Sequence, residues 1–117
     1  MTLLASILVC LVALLHVYFL VLEMFLWTRP LGMKVFRNTP DKAQLTRVLA
    51  ANQGLYNGFL AAGLGWGVVA QRADVMLFFL GCVVVAGLYG AWSVSRRILF
   101  VQALPAALAI AAVLLAY

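Results

Sequence analysis

Apolar residues fall along this chain in long blocks, not in strand-like alternation. The first block runs over 3–27 and is broken inside by His16 and Glu23. Others cover 45–70, 75–93 and 98–117, with charged residues gathered in the breaks between them. A membrane-crossing helix needs about 20 apolar residues, so each block reads as one span. The pattern predicts helices at about 3–27, 40–70, 75–94 and 98–117. The expected fold is therefore all-α: an integral membrane four-helix bundle forming a single transmembrane domain over 1–117.

Only one connection, 28–44, is long enough to have structure of its own. Arg29-Pro30 should end the first helix, because a proline disfavours helical geometry in the residue before it. Thr39-Pro40-Asp41 reads as a helix start, with a capping hydroxyl, a proline at the first helical position and an acid in the first turn. Between them, LGMKVF at 31–36 mixes apolar and basic residues. It fits a segment lying on lipid head groups and a solvated loop equally well.

Composition supports the membrane reading. Of 117 residues, 68% are hydrophobic and 9% charged, whereas soluble domains run to about half apolar and a quarter charged. No stretch is polar enough to form a separate soluble unit. The first block has no Lys or Arg before Arg29 and is too long for a cleaved signal peptide, so it is expected to stay in the membrane. Cys10 and Cys82 are expected to be small buried apolar residues, since nothing in their spacing suggests a disulfide or a metal.

Charge then orients the bundle. Arg29, Lys34, Arg37, Lys42, Arg47, Arg96 and Arg97 fall in the breaks after the first and third spans, and only Arg72 falls in the break after the second. Seven against one is a strong positive-inside bias, placing both termini on the non-cytoplasmic side of the inner membrane. The formal charge of +5 is accounted for by this bias and contact with membrane lipids, and needs no nucleic-acid partner. Trp27, Trp66 and Trp92 lie where interfacial anchors are expected. Gly54-x-x-x-Gly58, Ala86-x-x-x-Gly90 and Ala103, Ala107, Ala111 would let helices approach closely, and one such face could serve a neighbouring subunit.

Depth along the four spans collects the chemistry into one layer. Glu23 lies four residues from Trp27, or roughly 6 Å inside the boundary at 1.5 Å per residue. Asn52 and Gln53 follow Arg47 at similar depth, as Gln102 follows Ile98, while Tyr89 lies a turn deeper than those. His16 and Asn57 share a deeper level still. His16 and Glu23 are seven residues apart, so they share one helix face to within about 20°. Intramembrane ionisable groups are expensive and usually face a bundle interior. The layer reads either as interhelical glue or, because glue needs neither an acid nor an imidazole, as a cavity for a small or amphipathic ligand. The candidate ligand-binding residues are His16, Glu23, Asn52, Gln53, Asn57, Tyr89 and Gln102, with Arg47, Arg96 and Arg97 as a cytoplasmic basic rim. One His and two separated cysteines make no metal site.

LHVYFLVLEMFLW, followed by LAANQGLYNGFLAAGL, resembles a bacterial membrane family known as domain of unknown function 1304. That resemblance covers essentially the whole chain and implies a four-helix inner-membrane protein, without an activity, substrate or cofactor. A fainter one is to the membrane-associated proteins in eicosanoid and glutathione metabolism. It rests on Arg47, Ala50 and Asn52 and on Tyr89 followed by Arg96-Arg97-Ile98-Leu99-Phe100. It implies a trimeric, glutathione-dependent enzyme in which Arg47, Arg96 and Arg97 hold the tripeptide's carboxylates and Tyr89 helps activate its thiolate. The acid expected three residues after Asn52 is instead Leu55, so Glu23 would have to substitute. A proton-coupled exporter is a third possibility, since a glutamate in the first span also suits that chemistry; the charge bias argues against the dual orientation common in small exporters.

Overall fold

The computed structural model describes residues 2–116, and every regular element in them is helical. We number five helices in chain order: α1 (Leu3–Met24), α2 (Pro30–Phe36), α3 (Pro40–Ala70), α4 (Ala73–Ser93) and α5 (Leu104–Ala116), the last preceded by a π-helical turn, Leu99–Ala103. Among the described residues, three runs are long and apolar enough to cross a membrane: Leu3–Met24, Ala73–Ser93 and Leu99–Ala116. α3 has the length, at 31 residues, but Asn52, Gln53, Tyr56, Asn57 and its glycines dilute its apolar character.

α1 stops at Met24, three residues before the expected Trp27, and the chain turns with the Leu26 amide donating to the Val21 carbonyl at 3.2 Å. The undecided 31–36 segment is helical throughout. Pro30 starts α2 at a position where a missing N–H costs nothing. It ends in a Schellman turn, with the Asn38 amide donating to the Met33 carbonyl at 2.9 Å and Arg37 in the left-handed region at φ 55°. α3 ends the same way: the Arg72 amide donates to the Gly67 carbonyl at 2.9 Å, and Gln71 has φ 53°. The π turn was not foreseen. Pro105 supplies its cause, because proline has no N–H for the carbonyl four residues back and its ring crowds that carbonyl. The chain widens one turn, and the Leu104 amide donates to the Leu99 carbonyl. The expected end of the last span at residue 117 lies outside the described residues.

The chain divides into two compact units. One comprises the residues up to Leu14 together with those from Leu60 onward; the other is Leu15–Phe59. The first has an aliphatic core of Ala5, Val9, Val12, Leu64, Met76, Leu80, Val83, Ala106, Ala109 and Val113. Small residues let its backbones close up: a Cβ on Gly87 would lie 2.8 Å from the Ala103 amide nitrogen. Cys10 points away from this core and is exposed, and Cys82 is half-buried, which corrects the expectation that both are buried. The reason is azimuth: the buried positions of α1 are Ala5, Val9 and Val12, and Cys10 is about 100° round the helix from Val9.

In the second unit one tryptophan and one glycine hold the connection between α1 and α3. Trp27 donates from Nε1 to Thr46 Oγ1 at 3.0 Å and packs on Phe36 with ring centroids 4.9 Å apart. Gly32 brings α2 directly under the Leu26 carbonyl, where a Cβ would lie 1.9 Å from that oxygen.

Candidate functional site

The buried stripe of α1 continues past Val12 through His16 to Glu23, at helix-face spacings of four and seven residues. His16 is 0% exposed and Glu23 2%, which makes them the buried polar residues of the described chain. Geometry explains how a carboxyl tolerates that position. Gly54 on α3 lies against α1 so closely that an added Cβ would be 2.7 Å from Met24 Cγ and 3.1 Å from Glu23 Cβ. One turn on, a Cβ at Gly58 would lie 2.7 Å from Leu20 Cδ1. The Gly54-x-x-x-Gly58 pattern thus makes a tight seam between α1 and α3. On the same side of α3, half-buried Asn57 donates from Nδ2 to Glu23 Oε1 at 2.5 Å. His16 meets Phe19 edge-on, with ring centroids 5.5 Å apart and planes at 75°.

A carboxyl accepting from an amide is held in place without an opposing charge. Among the described residues the one salt bridge joins Arg72 and Asp74, so no arginine or lysine neutralises Glu23. Such an arrangement can accept a hydrogen bond or receive a proton from a ligand group. Among the described residues no three His, Cys, Asp or Glu gather as a metal cage.

The remaining candidates separate by azimuth. Asn52 is exposed, and its Nδ2 donates to the Val48 carbonyl of its own helix at 3.0 Å. It lies roughly 200° round the helix from Ala50 and from Gly54, which are buried. Gln53 is exposed on the flank of that face. Tyr89 is 66% exposed, about 200° from buried Gly87, with its ring 6.0 Å from Trp92. Gln102 is half-buried within the π turn. Arg47, Arg96 and Arg97 are exposed. The structure therefore joins Glu23 to Asn57 and places His16 on the same buried stripe. Depth, read from the sequence, did not say which way each side chain points. Sequence reasoning also passed over Asn38, whose Nδ2 is buried without an acceptor at the turn between α2 and α3.

This geometry meets its relatives in one place. The sequence model described as "Protein of unknown function (DUF1304)" matches residues 10–114. The chain belongs to the DUF1304 family. The resemblance carried by residues 15–27 and 49–64 is thereby borne out. The uncharacterized protein YpaA of Lactococcus lactis subsp. lactis (strain IL1403) is 31% identical over 106 residues, covering 87% of this chain and 89% of its own length. No solved structure matches the chain. The family match spans Glu23, Asn57 and His16, so the buried pair lies inside the shared part of the molecule.

Proposed function

We propose that this DUF1304 protein is a multi-pass inner-membrane protein that binds a small or amphipathic ligand at a polar site in its cytoplasmic half. In this reading α3 is the fourth span, both termini lie on the non-cytoplasmic side, and the exposed cations of α2 and its flanks rest on anionic head groups. α3 can serve as a span despite its polar residues because the Gly54–Gly58 seam shelters Asn57 against α1.

The single observation that carries the reading is Glu23, 2% exposed and hydrogen-bonded to Asn57, with no arginine or lysine in a salt bridge to it among the described residues. Pure structural cross-linking is served as well by two amides, without the cost of an intramembrane acid. A carboxyl in that place suits a ligand carrying a hydroxyl, amine or other donor, and His16 on the same stripe adds a second group of the kind that moves protons.

A thermal-shift screen of the purified protein against lipids, quinones and thiols tests the proposal. At least one class should raise the melting temperature, and Glu23→Gln should fold with unchanged helicity yet lose that rise. If no class shifts the wild-type protein, or if Glu23→Gln keeps the full shift, ligand binding at this site is wrong.

A further inference from the structure

The turn between α3 and α4 carries a second group of residues, separate from Glu23 and Asn57. Trp66, Asp74, Val75, Phe78 and Phe79 line an open groove of about 280 Å³. Its chemistry is uneven: three aromatic rings, one aliphatic side chain and a single carboxylate. Phe79 is fixed from behind, since a Cβ at Gly63 would lie 2.4 Å from its Cζ. Phe78 stands edge-on to it at 5.3 Å and is 66% exposed, leaving its ring open to a ligand.

A cation already sits at the rim. The Arg72 Cζ lies 5.8 Å from the centroid of the Trp66 ring, and the guanidinium donates to Asp74 from Nη2 at 2.7 Å and from Nε at 3.2 Å. The chain's own side chain thus engages both features that attract an organic cation, a π face and an acid. Its hold is weak, because the pair is open to solvent, with 52% and 69% of the two side chains exposed. A guanidinium also leaves the Phe78 ring uncovered. A cation bearing alkyl groups would take the same charge and the Trp66 ring while covering Phe78 as well. A hard metal ion would not, since it needs several oxygen ligands and the groove lining offers one carboxylate side chain.

We infer that this groove binds an alkylated or quaternary ammonium, with Asp74 as its counter-charge, Trp66 and Phe78 as its aromatic walls, and Arg72 as the internal cation it displaces. The chemistry fits a free ammonium compound and a choline-type phospholipid head group alike, so the test has an arm for each source.

The full chain in an uncharged detergent is titrated with tetraethylammonium, and the emission difference between wild type and Trp66→Phe isolates Trp66. A saturable change is expected. Removal of the competing cation in Arg72→Ala should tighten binding by roughly threefold, and Asp74→Asn should weaken it by at least a similar factor. All these positions are exposed, and unchanged helicity by circular dichroism confirms folding of each variant. No saturable change in either wild type or Arg72→Ala overturns the inference, as does an affinity indifferent to both Arg72→Ala and Asp74→Asn. With the site established, the titration is repeated in nanodiscs of phosphatidylcholine and of an uncharged galactolipid. Competition by phosphatidylcholine alone assigns the groove to the head group, and equal binding in both assigns it to a free ammonium; either supports the site.

Discussion

The two units of this chain are stabilised in different ways. The unit built from the two ends of the chain has an aliphatic core, with Leu80, Val83, Met76 and Val113 fully buried among small residues. The 15–59 unit buries a histidine and an acid, and gains its closeness from glycine. In lipid, apolar side chains gain little by leaving the surroundings for a helix interface, so packing and hydrogen bonds decide association. The first unit answers with fit alone. The second combines close approach with a hydrogen bond that only close approach permits. Its polar groups make it the more specific of the two and the one where a substitution has chemical consequences as well as steric ones.

The contrast is broken most severely at Gly54. A leucine there would drive its Cβ into Glu23 Cβ and Met24 Cγ and toward the Leu20 carbonyl, and a backbone atom cannot yield as a side-chain tip can. We expect Gly54→Leu to destabilise by about 3 kcal/mol, the upper end for overpacking. Gly65, which has open space where a Cβ would go, is the control: Gly65→Ala should stabilise slightly through helix propensity. Reversible unfolding in mixed micelles, followed by circular dichroism, measures both. Equal effects at the two glycines would refute the seam.

The aliphatic unit should respond next most strongly. Leu80 is fully buried. Leu80→Ala leaves a cavity, but the unfolded helices remain in detergent, so little transfer energy is lost. The expected cost is therefore about 2 kcal/mol, at the low end of such substitutions. The same assay checks it, and it should leave any ligand response of the Glu23 site unaltered. A lost response would show that the two regions do not act separately.

The Glu23–Asn57 bond comes third. Asn57→Leu removes the donor and leaves the carboxyl unsatisfied, at about 1 kcal/mol. Glu23→Leu with Asn57→Leu removes both partners and should recover most of that loss, because an apolar pair leaves no unmet group. A double-mutant cycle reads the coupling directly. Strictly additive effects would mean that the bond does not contribute.

These regions were not equally legible in the sequence. The helices announced themselves, because long apolar blocks admit few alternatives in a membrane. The seam was visible as Gly54-x-x-x-Gly58, though the pattern alone does not name the partner helix. His16 and Glu23 fell on one face by counting, since azimuth within a single helix follows from its period. Asn52 and Tyr89 show where counting fails. Depth places residues of different helices on one level, but rotation of each helix about its axis is set by packing. Asn52 and Tyr89 consequently lie about opposite buried positions of their own helices. The π turn had a signal in Pro105, and α2 had one in Pro30; both were local rules overshadowed by the apolar pattern.

The smallest expected effect sharpens the comparison at the helix ends, where both units use the same turn. Arg37 closes α2 and Gln71 closes α3, each at a φ near 55° that side-chain-bearing residues adopt at a cost. Glycine relieves that strain and loses part of the gain to its greater freedom when unfolded. Gln71→Gly should thus stabilise by about 0.5 kcal/mol net, with the loss of the Gln71 Nε2 donation to the Val68 carbonyl mattering little at an exposed site. Arg37→Gly should give the same relief, but it also removes a cation from the face that this reading places on anionic lipid. In uncharged detergent the two variants should stabilise equally; in anionic bicelles the gain at Arg37 should shrink while that at Gln71 persists. Equal gains in both media would mean that α2 and its flanking cations do not rest on the head groups.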